Sequence, residues 1–129
     1  MSTVGDIVAG FGFRQAATAE DFDAALAATL AAAGMPVAVV GAIAVPEAKH
    51  SPAVEVFAAM RALPLMAVSR DDMQRAAPGC ATHSARSEAA QGVPSVAEAA
   101  ALAGAGTGAD LIQARVATAV VTCALAKKR

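Results

Sequence analysis

A continuous apolar run, VAVVGAIAV at residues 37–45, lies between Pro36 and Pro46 and constrains the fold more than any other segment. Apolar residues occupy both its odd and its even positions, which is typical of a central strand covered on both faces of a sheet. We therefore expect a layered α/β domain in which helices pack on each side of this strand.

A strand–turn–helix unit is predicted before this run. Residues 4–10 indicate a short buried strand, and the glycines of the following segment, GFGFR at residues 10–14, permit a tight turn. Thr18 opens a helix with acidic residues in its first turn, and Gly34 ends it. The apolar face of this helix repeats every four residues and consists of Phe22, Leu26 and Leu30.

The alternation of helices and strands continues after the apolar run. A second helix is predicted over residues 53–63, a strand over 65–68, and a short helical segment after the N-cap Ser69. Residues 77–92 are small and polar without a clear period, which indicates a loop containing at most one helical turn. In the second helix, the residues predicted to face inward are Val56, Met60 and Leu63.

Two closing strands complete the predicted domain. Residues 110–115 and 118–126 are separated by so few residues that they should pair as an antiparallel hairpin. The prediction is a single domain over residues 1–129. Its expected architecture is three-layer α/β/α, with a mixed, mostly parallel five-stranded sheet and a C-terminal antiparallel hairpin.

The segment GVPSVAEAAAL at residues 92–102 carries a well-specified helix start. Ser95 followed by Glu98 is a capping box, in which the Ser95 hydroxyl accepts the Glu98 N–H and the Glu98 carboxylate returns to the Ser95 N–H. Two interpretations remain open. The pair caps the helix and does nothing more, or the N-terminal N–H groups also hold an anion.

Composition excludes several classes of function. The formal net charge is −1 and aromatic residues make up 3% of the chain, so no basic, aromatic-rich surface for nucleic acid is expected. No secretory signal or bilayer-spanning segment is visible, and two cysteines do not make a disulfide framework. We expect a soluble cytoplasmic protein without membrane or nucleic-acid partners.

Polar and cationic residues follow the predicted strands. Because ligands in open α/β sheets bind beyond the carboxyl ends of the strands, these residues should converge on one edge. Such a cluster suits a ligand with several carboxylates or phosphates. The residues concerned are Gly10, Gly12 and Arg14 after the first strand, Lys49 after the second, Ser69 after the third, Arg115 on the fourth, and Ser95 at the capped helix.

Cofactor and metal sites have weaker support. The sequence Gly10-x-Gly12 lacks the third glycine of a dinucleotide fingerprint, because Gln15 stands there. Cys80 and His83 have the spacing of metal ligands, but they lack clear further ligands. We therefore expect neither a bound cofactor nor a metal, and we expect Cys123 to be a small core residue.

These motifs together resemble the CobE proteins of cobalamin biosynthesis and the C-terminal domain of CbiG. The resemblance covers nearly the whole chain, and residues 92–102 are its most specific part. The chain begins at the first strand of the shared domain and so resembles the shorter CobE type of the aerobic route. Positions that match the family pattern are Gly10, Gly12, Arg14, Lys49, Ser69, Ser95 and Glu98, with Thr82 and Ser84 in a matching loop and Arg115 where lysine is usual.

The resemblance implies that the ligand is a polycarboxylate corrinoid or precorrin intermediate, and other enzymes of the pathway are candidate partners. CbiG-type relatives open a lactone on such an intermediate and release a two-carbon aldehyde, so a hydrolase is the alternative to a binding protein. A purely structural partner of a pathway enzyme, without ligand affinity, is a third possibility. A hydrolase needs a general base, and the candidates are His83, His50 or a lysine of lowered pKa. The departures at Phe13 and Ala117 leave an anion-binding surface intact but remove residues common in the family.

Overall fold

The computed structural model describes residues 5–49 and 51–128, without the side chain of Ala90. The first residue of the predicted N-terminal strand and His50 thus lie outside the described residues. Single 3₁₀ turns occur at Val37–Val39 and Ala77–Gly79. The strands and helices, in chain order, are β1 (Ile7–Phe13), α1 (Ala19–Ala33), β2 (Val40–Pro46), α2 (Pro52–Met60), β3 (Leu65–Val68), α3 (Arg70–Ala76), α4 (Ala85–Gln91), α5 (Val96–Ala105), β4 (Asp110–Ala117) and β5 (Val121–Lys127).

One five-stranded sheet has the order β3-β2-β1-β5-β4. The first three strands are parallel to one another, whereas β5 runs antiparallel to both β1 and β4. The C-terminal hairpin of β4 and β5 therefore extends the three parallel strands on the side of β1. This arrangement confirms the predicted α/β class, the mixed sheet and the closing antiparallel hairpin.

The sheet is covered by a different kind of layer on each face. Helices α1 and α2 cover one face, where Phe11, Phe22 and Phe57 are fully buried and their ring centroids lie 5.5–5.7 Å apart. Helices α3 and α5 cover the other face, where the buried residues are mostly alanine and valine. The aromatic residues thus supply bulk on one side, while small residues let α5 lie close to the sheet on the other.

Gly10 lies in the middle of β1, under α5. A Cβ at this position would come within 2.2 Å of the Ala97 carbonyl oxygen and 2.3 Å of the Ala101 nitrogen. Gly10 therefore permits the close packing of α5 on the sheet. The prediction that Gly10 and Gly12 form a turn is wrong, because β1 continues through both residues to Phe13.

Helix α1 has the predicted boundaries and face. Thr18 and Asp21 form a complete capping box, and Gly34 ends the helix in a left-handed conformation with a φ of 67°. The side chains that α1 buries include Phe22, Leu26 and Leu30, as predicted.

Three other predictions are corrected by the structure. Residues 37–39 form a 3₁₀ turn, so the central strand begins only at Val40. Helix α2 turns a different face inward: Val54 and Phe57 are fully buried, while Val56 and Met60 are 52% and 60% exposed. The predicted loop over residues 77–92 contains helix α4, which is capped by Ser84 and by Gly92 at its two ends.

Candidate functional site

A cavity of about 210 Å³ opens at the edge of the sheet where β1 and β2 end. Because these two strands are parallel, their carboxyl ends meet at this edge, where ligands bind in open α/β sheets. The turn between β4 and β5 and residues of α4 and α5 close the other sides. The described lining residues are Gly12, Phe13, Arg14, Pro46, Lys49, Ser84, Arg86, Ser87, Gln91, Val96, Arg115 and residues 118–122.

Four cationic side chains line this cavity, which we call the cationic cavity. Arg14 follows β1, Lys49 follows β2, Arg86 lies in the first turn of α4, and Arg115 lies on β4. No carboxylate lines the cavity among the described residues, and within residues 5–49 and 51–128 no acidic side chain forms an ion pair with any of the four. The four cations therefore line one cavity without an acidic ion-pair partner among these residues.

The pKa of Lys49 reflects its burial first and two of the other cations second. Burial, followed by the charges of Arg86 and Arg14, lowers the pKa of its ammonium group from the ordinary value of 10.5. Its Nζ lies 5.3 Å from the ring centroid of Phe13, within the range of a cation–π contact. Lys49 thus stands where the apolar and cationic parts of the cavity meet.

Glu98 lies behind the wall of the cavity and is 0% exposed. Its carboxylate accepts four hydrogen bonds, from the N–H of Ala81 at 2.8 Å, the N–H of Thr82 at 2.9 Å, the Thr82 hydroxyl at 2.7 Å and the N–H of Arg115 at 2.8 Å. Burial raises the pKa of Glu98, but these hydrogen bonds outweigh it and hold the pKa below 4.5. Glu98 therefore joins the segment before α4 to strand β4.

The capping box predicted at α5 forms only in part. The Ser95 hydroxyl accepts the N–H of Glu98 at 3.3 Å, as predicted. The prediction that the Ser95 N–H donates to the Glu98 carboxylate is wrong, because that carboxylate accepts hydrogen bonds from Ala81, Thr82 and Arg115 instead. Four hydrogen bonds from three residues outside the helix thus replace one local bond.

The predicted serines and glycines do not all reach the cationic cavity. Ser69, Ser84 and Ser95 each cap a helix through the side-chain oxygen, and of these only Ser84 lines the cavity. Ser95 is 0% exposed. Gly12 lines the cavity, whereas Gly10 lies under α5.

The histidine and cysteine residues considered for metal binding or base catalysis form no metal site among the described residues. His83 is exposed and does not line the cavity, and His50 lies outside the described residues. The Cys80 thiol donates to the Ser95 carbonyl oxygen at 3.8 Å. In the described part of the chain no three His, Cys, Asp or Glu residues come close enough to hold a metal, and no helix is long and apolar enough to cross a membrane.

Among the residues of the cationic cavity that sequence reasoning missed are Arg86 and Gln91. Both lie in α4, within the segment predicted to be a loop. Gln91 is 7% exposed, and its Oε1 has no hydrogen-bond partner among the described residues. The pattern Ser84-x-x-Ser87, a helix N-cap followed by Arg86 and closed by Gly92, was the available signal for this helix.

Comparison with known proteins gives consistent results. Residues 7–126 match the protein family described as Cobalamin synthesis G C-terminus. The solved structure of CobE, a protein from the cobalamin (vitamin B12) biosynthetic pathway, superposes with a TM-score of 0.88 at 30% identity, over 95% of this chain and 90% of that one. No curated protein sequence matches at a significant level.

Two further solved structures share the fold. The cobalamin biosynthesis protein ChiG from Agrobacterium tumefaciens has a TM-score of 0.75 at 32% identity, over 95% of this chain and 98% of that one. A cobalamin biosynthesis protein G homolog from Sulfolobus solfataricus has a TM-score of 0.74 at 20% identity, over 96% of this chain and 37% of that one. At this identity the second likeness concerns the fold alone.

Proposed function

The chain belongs to the Cobalamin synthesis G C-terminus family, and we propose that it acts in cobalamin biosynthesis by binding a polycarboxylate corrinoid or precorrin intermediate in the cationic cavity. The observation that carries this proposal is the set of four cations, Arg14, Lys49, Arg86 and Arg115, without an acidic partner among the described residues. Intermediates of corrin synthesis carry many carboxylates. A net charge of −1 means that the attraction comes from this local cluster and not from the whole molecule.

The residues of the cationic cavity would bind the ligand in different ways. The three guanidinium groups offer planar, two-pronged donors for carboxylates, while Lys49 offers a more mobile point charge. Gly12 and Ser84 also line the cavity. Glu98 does not line the cavity, but it accepts a hydrogen bond from the Arg115 N–H and so fixes the strand that carries Arg115.

The test is a titration of the purified protein with hydrogenobyrinic acid, followed by the ligand's own visible absorption, since the chain contains no Trp or Tyr. The matched control ligand is the same corrinoid with its carboxylates converted to amides. We expect a saturable spectral shift with the acid and none with the amide. Equal binding of both ligands would contradict recognition through carboxylates, and no binding of either would contradict the function.

A second candidate function is a lactone hydrolase of the CbiG type, and the lowered pKa of Lys49 favours it. A lysine with a depressed pKa loses its proton more readily than an ordinary lysine, and only the neutral amine can act as a base. Turnover of a lactone-bearing precorrin with release of an aldehyde would establish this activity. Lys49→Arg keeps the charge but cannot act as a base, so it should abolish turnover and retain ligand binding. Binding without aldehyde release in the natural protein would exclude the hydrolase.

A further inference from the structure

The cationic cavity is small for the ligand class proposed above. Its volume of about 210 Å³ lies below the roughly 300–1,000 Å³ of pockets that enclose drug-sized molecules. A corrin macrocycle with its side chains is larger than such a molecule. The whole macrocycle does not fit inside this volume, whereas one of its peripheral groups does.

The lining is complementary to a short side chain that ends in a carboxylate. Phe13, Val96 and Val121 provide apolar surface inside the cavity, and the cations add positive charge to the same lining. Lys49 joins the two regions through its contact with the Phe13 ring. A chain of one or two methylene groups ending in a carboxylate satisfies both regions, whereas a bare inorganic anion leaves the apolar surface without a partner.

Gln91 supplies an independent observation. Its side chain is more than nine-tenths buried and lines the cavity, yet its Oε1 has no partner in the described part of the chain. A buried amide group without a hydrogen bond is costly, so it indicates a missing partner. The amide nitrogen of the same side chain, rather than this oxygen, is the group that can donate an N–H to a carboxylate.

From these three observations we infer that the cationic cavity takes a single acetate- or propionate-type side arm of the ligand, with the macrocycle lying outside against the mouth. This inference rests on the proposed function for the identity of the whole ligand. The arm's carboxylate is held by the cations and by Gln91, and its methylene groups contact Phe13 and Val96.

The experiment is a heteronuclear NMR titration of the full chain with sodium propionate, with propionamide as the uncharged control and sodium chloride to hold the ionic strength constant. We expect propionate to shift the amide signals of Gly12, Val96 and Thr122, and propionamide to leave them unchanged. Propionate should also compete with hydrogenobyrinic acid, and Gln91→Leu should weaken both ligands several-fold.

The outcomes separate this inference from the proposed function. If hydrogenobyrinic acid binds but propionate neither shifts these signals nor competes, the arm-in-cavity inference is overturned and the corrinoid function stands. If propionate binds in the cavity but the corrinoid acid does not bind, the corrinoid function is overturned and the carboxylate site stands. Equal shifts with propionamide would also overturn the inference, since they would show that charge is not recognised.

Discussion

The backbone N–H of Arg115 donates to Oε2 of Glu98 at 2.8 Å, across 17 residues of sequence. The other oxygen of the same carboxylate binds Ala81 and Thr82, which precede α4. One buried charge thus fixes the position of both Arg115 and the segment leading to Arg86, two of the four cations of the cationic cavity. The site depends on an acidic residue that no ligand needs to touch.

Replacement of Glu98 by glutamine should destabilise the protein. The glutamine amide cannot accept all four hydrogen bonds, and each buried donor left unpaired costs about 1–3 kcal/mol of unfolding free energy. The measurement is urea denaturation followed by far-ultraviolet circular dichroism. Glu20→Gln, at an exposed position in the first turn of α1, is the matched control and should change little. An equal effect of the two substitutions would contradict the role given to Glu98.

The same carboxylate should make stability depend on acidic pH. Because the pKa of Glu98 in the folded protein is lower than its ordinary value of 4.5, the unfolded chain binds the proton more tightly. The stabilisation by Glu98 is therefore fully present above pH 4.5 and is lost as the pH falls through the lower, folded-state pKa. As the pH falls over this range, the thermal unfolding temperature of the natural protein should fall more steeply than that of the Glu98→Gln variant. The same dependence of the unfolding temperature on pH in both proteins would show that Glu98 does not cause the acid sensitivity.

Two glycines of β1 should respond differently to alanine. At Gly10 the new Cβ meets backbone atoms of α5 at 2.2 and 2.3 Å, whereas at Gly12 it meets the Thr122 side-chain oxygen at 2.8 Å. A backbone clash forces the helix to move, which costs about 1–3 kcal/mol, while a threonine side chain can rotate away. We expect Gly10→Ala to lower the urea midpoint clearly more than Gly12→Ala. The reverse order would mean that α5 does not pack as closely as described.

The thiol of Cys80 should react slowly in the folded protein. Burial, and then the Glu98 carboxylate, raise its pKa from 9.0 to about 11. At pH 8 this leaves about 100-fold less reactive thiolate than an ordinary cysteine has. Iodoacetamide labelling followed by mass spectrometry should show slow modification in buffer and fast modification in urea. Cys123, which is fully buried with a pKa of about 12, provides an internal reference.

Local sequence patterns predicted the parts of the fold that local interactions determine. The cap at Thr18 and the helix end at Gly34 depend on neighbours in sequence, and both are observed as predicted. The strand Leu65–Val68 is also observed as predicted, paired with β2. The inward face of α2 was not predictable in this way. Val56 and Met60 have the same helical spacing as apolar core residues, so periodicity could not distinguish them from the pair Val54 and Phe57.

The candidate site was likewise predicted only in part from the sequence. The strand-end rule placed Arg14, Lys49 and Arg115 at one edge, and all three line the cationic cavity. Arg86 and Gln91 were missed because α4 is too short for a hydrophobic period and is held by distant contacts, such as the Ser84 N–H bond to the Pro94 carbonyl at 2.7 Å.

The most direct test of the central claim is the affinity for hydrogenobyrinic acid in single alanine variants of Arg14, Lys49, Arg86 and Arg115. The control is Lys128→Ala, an exposed cation after the last strand, at the opposite end of the sheet from the cavity. If the four cations bind the ligand's carboxylates, each of the four variants should lose about 1–3 kcal/mol of binding free energy and the control none. Unchanged affinity in all four variants, or an equal loss in the control, would contradict the assignment of this cavity as the binding site.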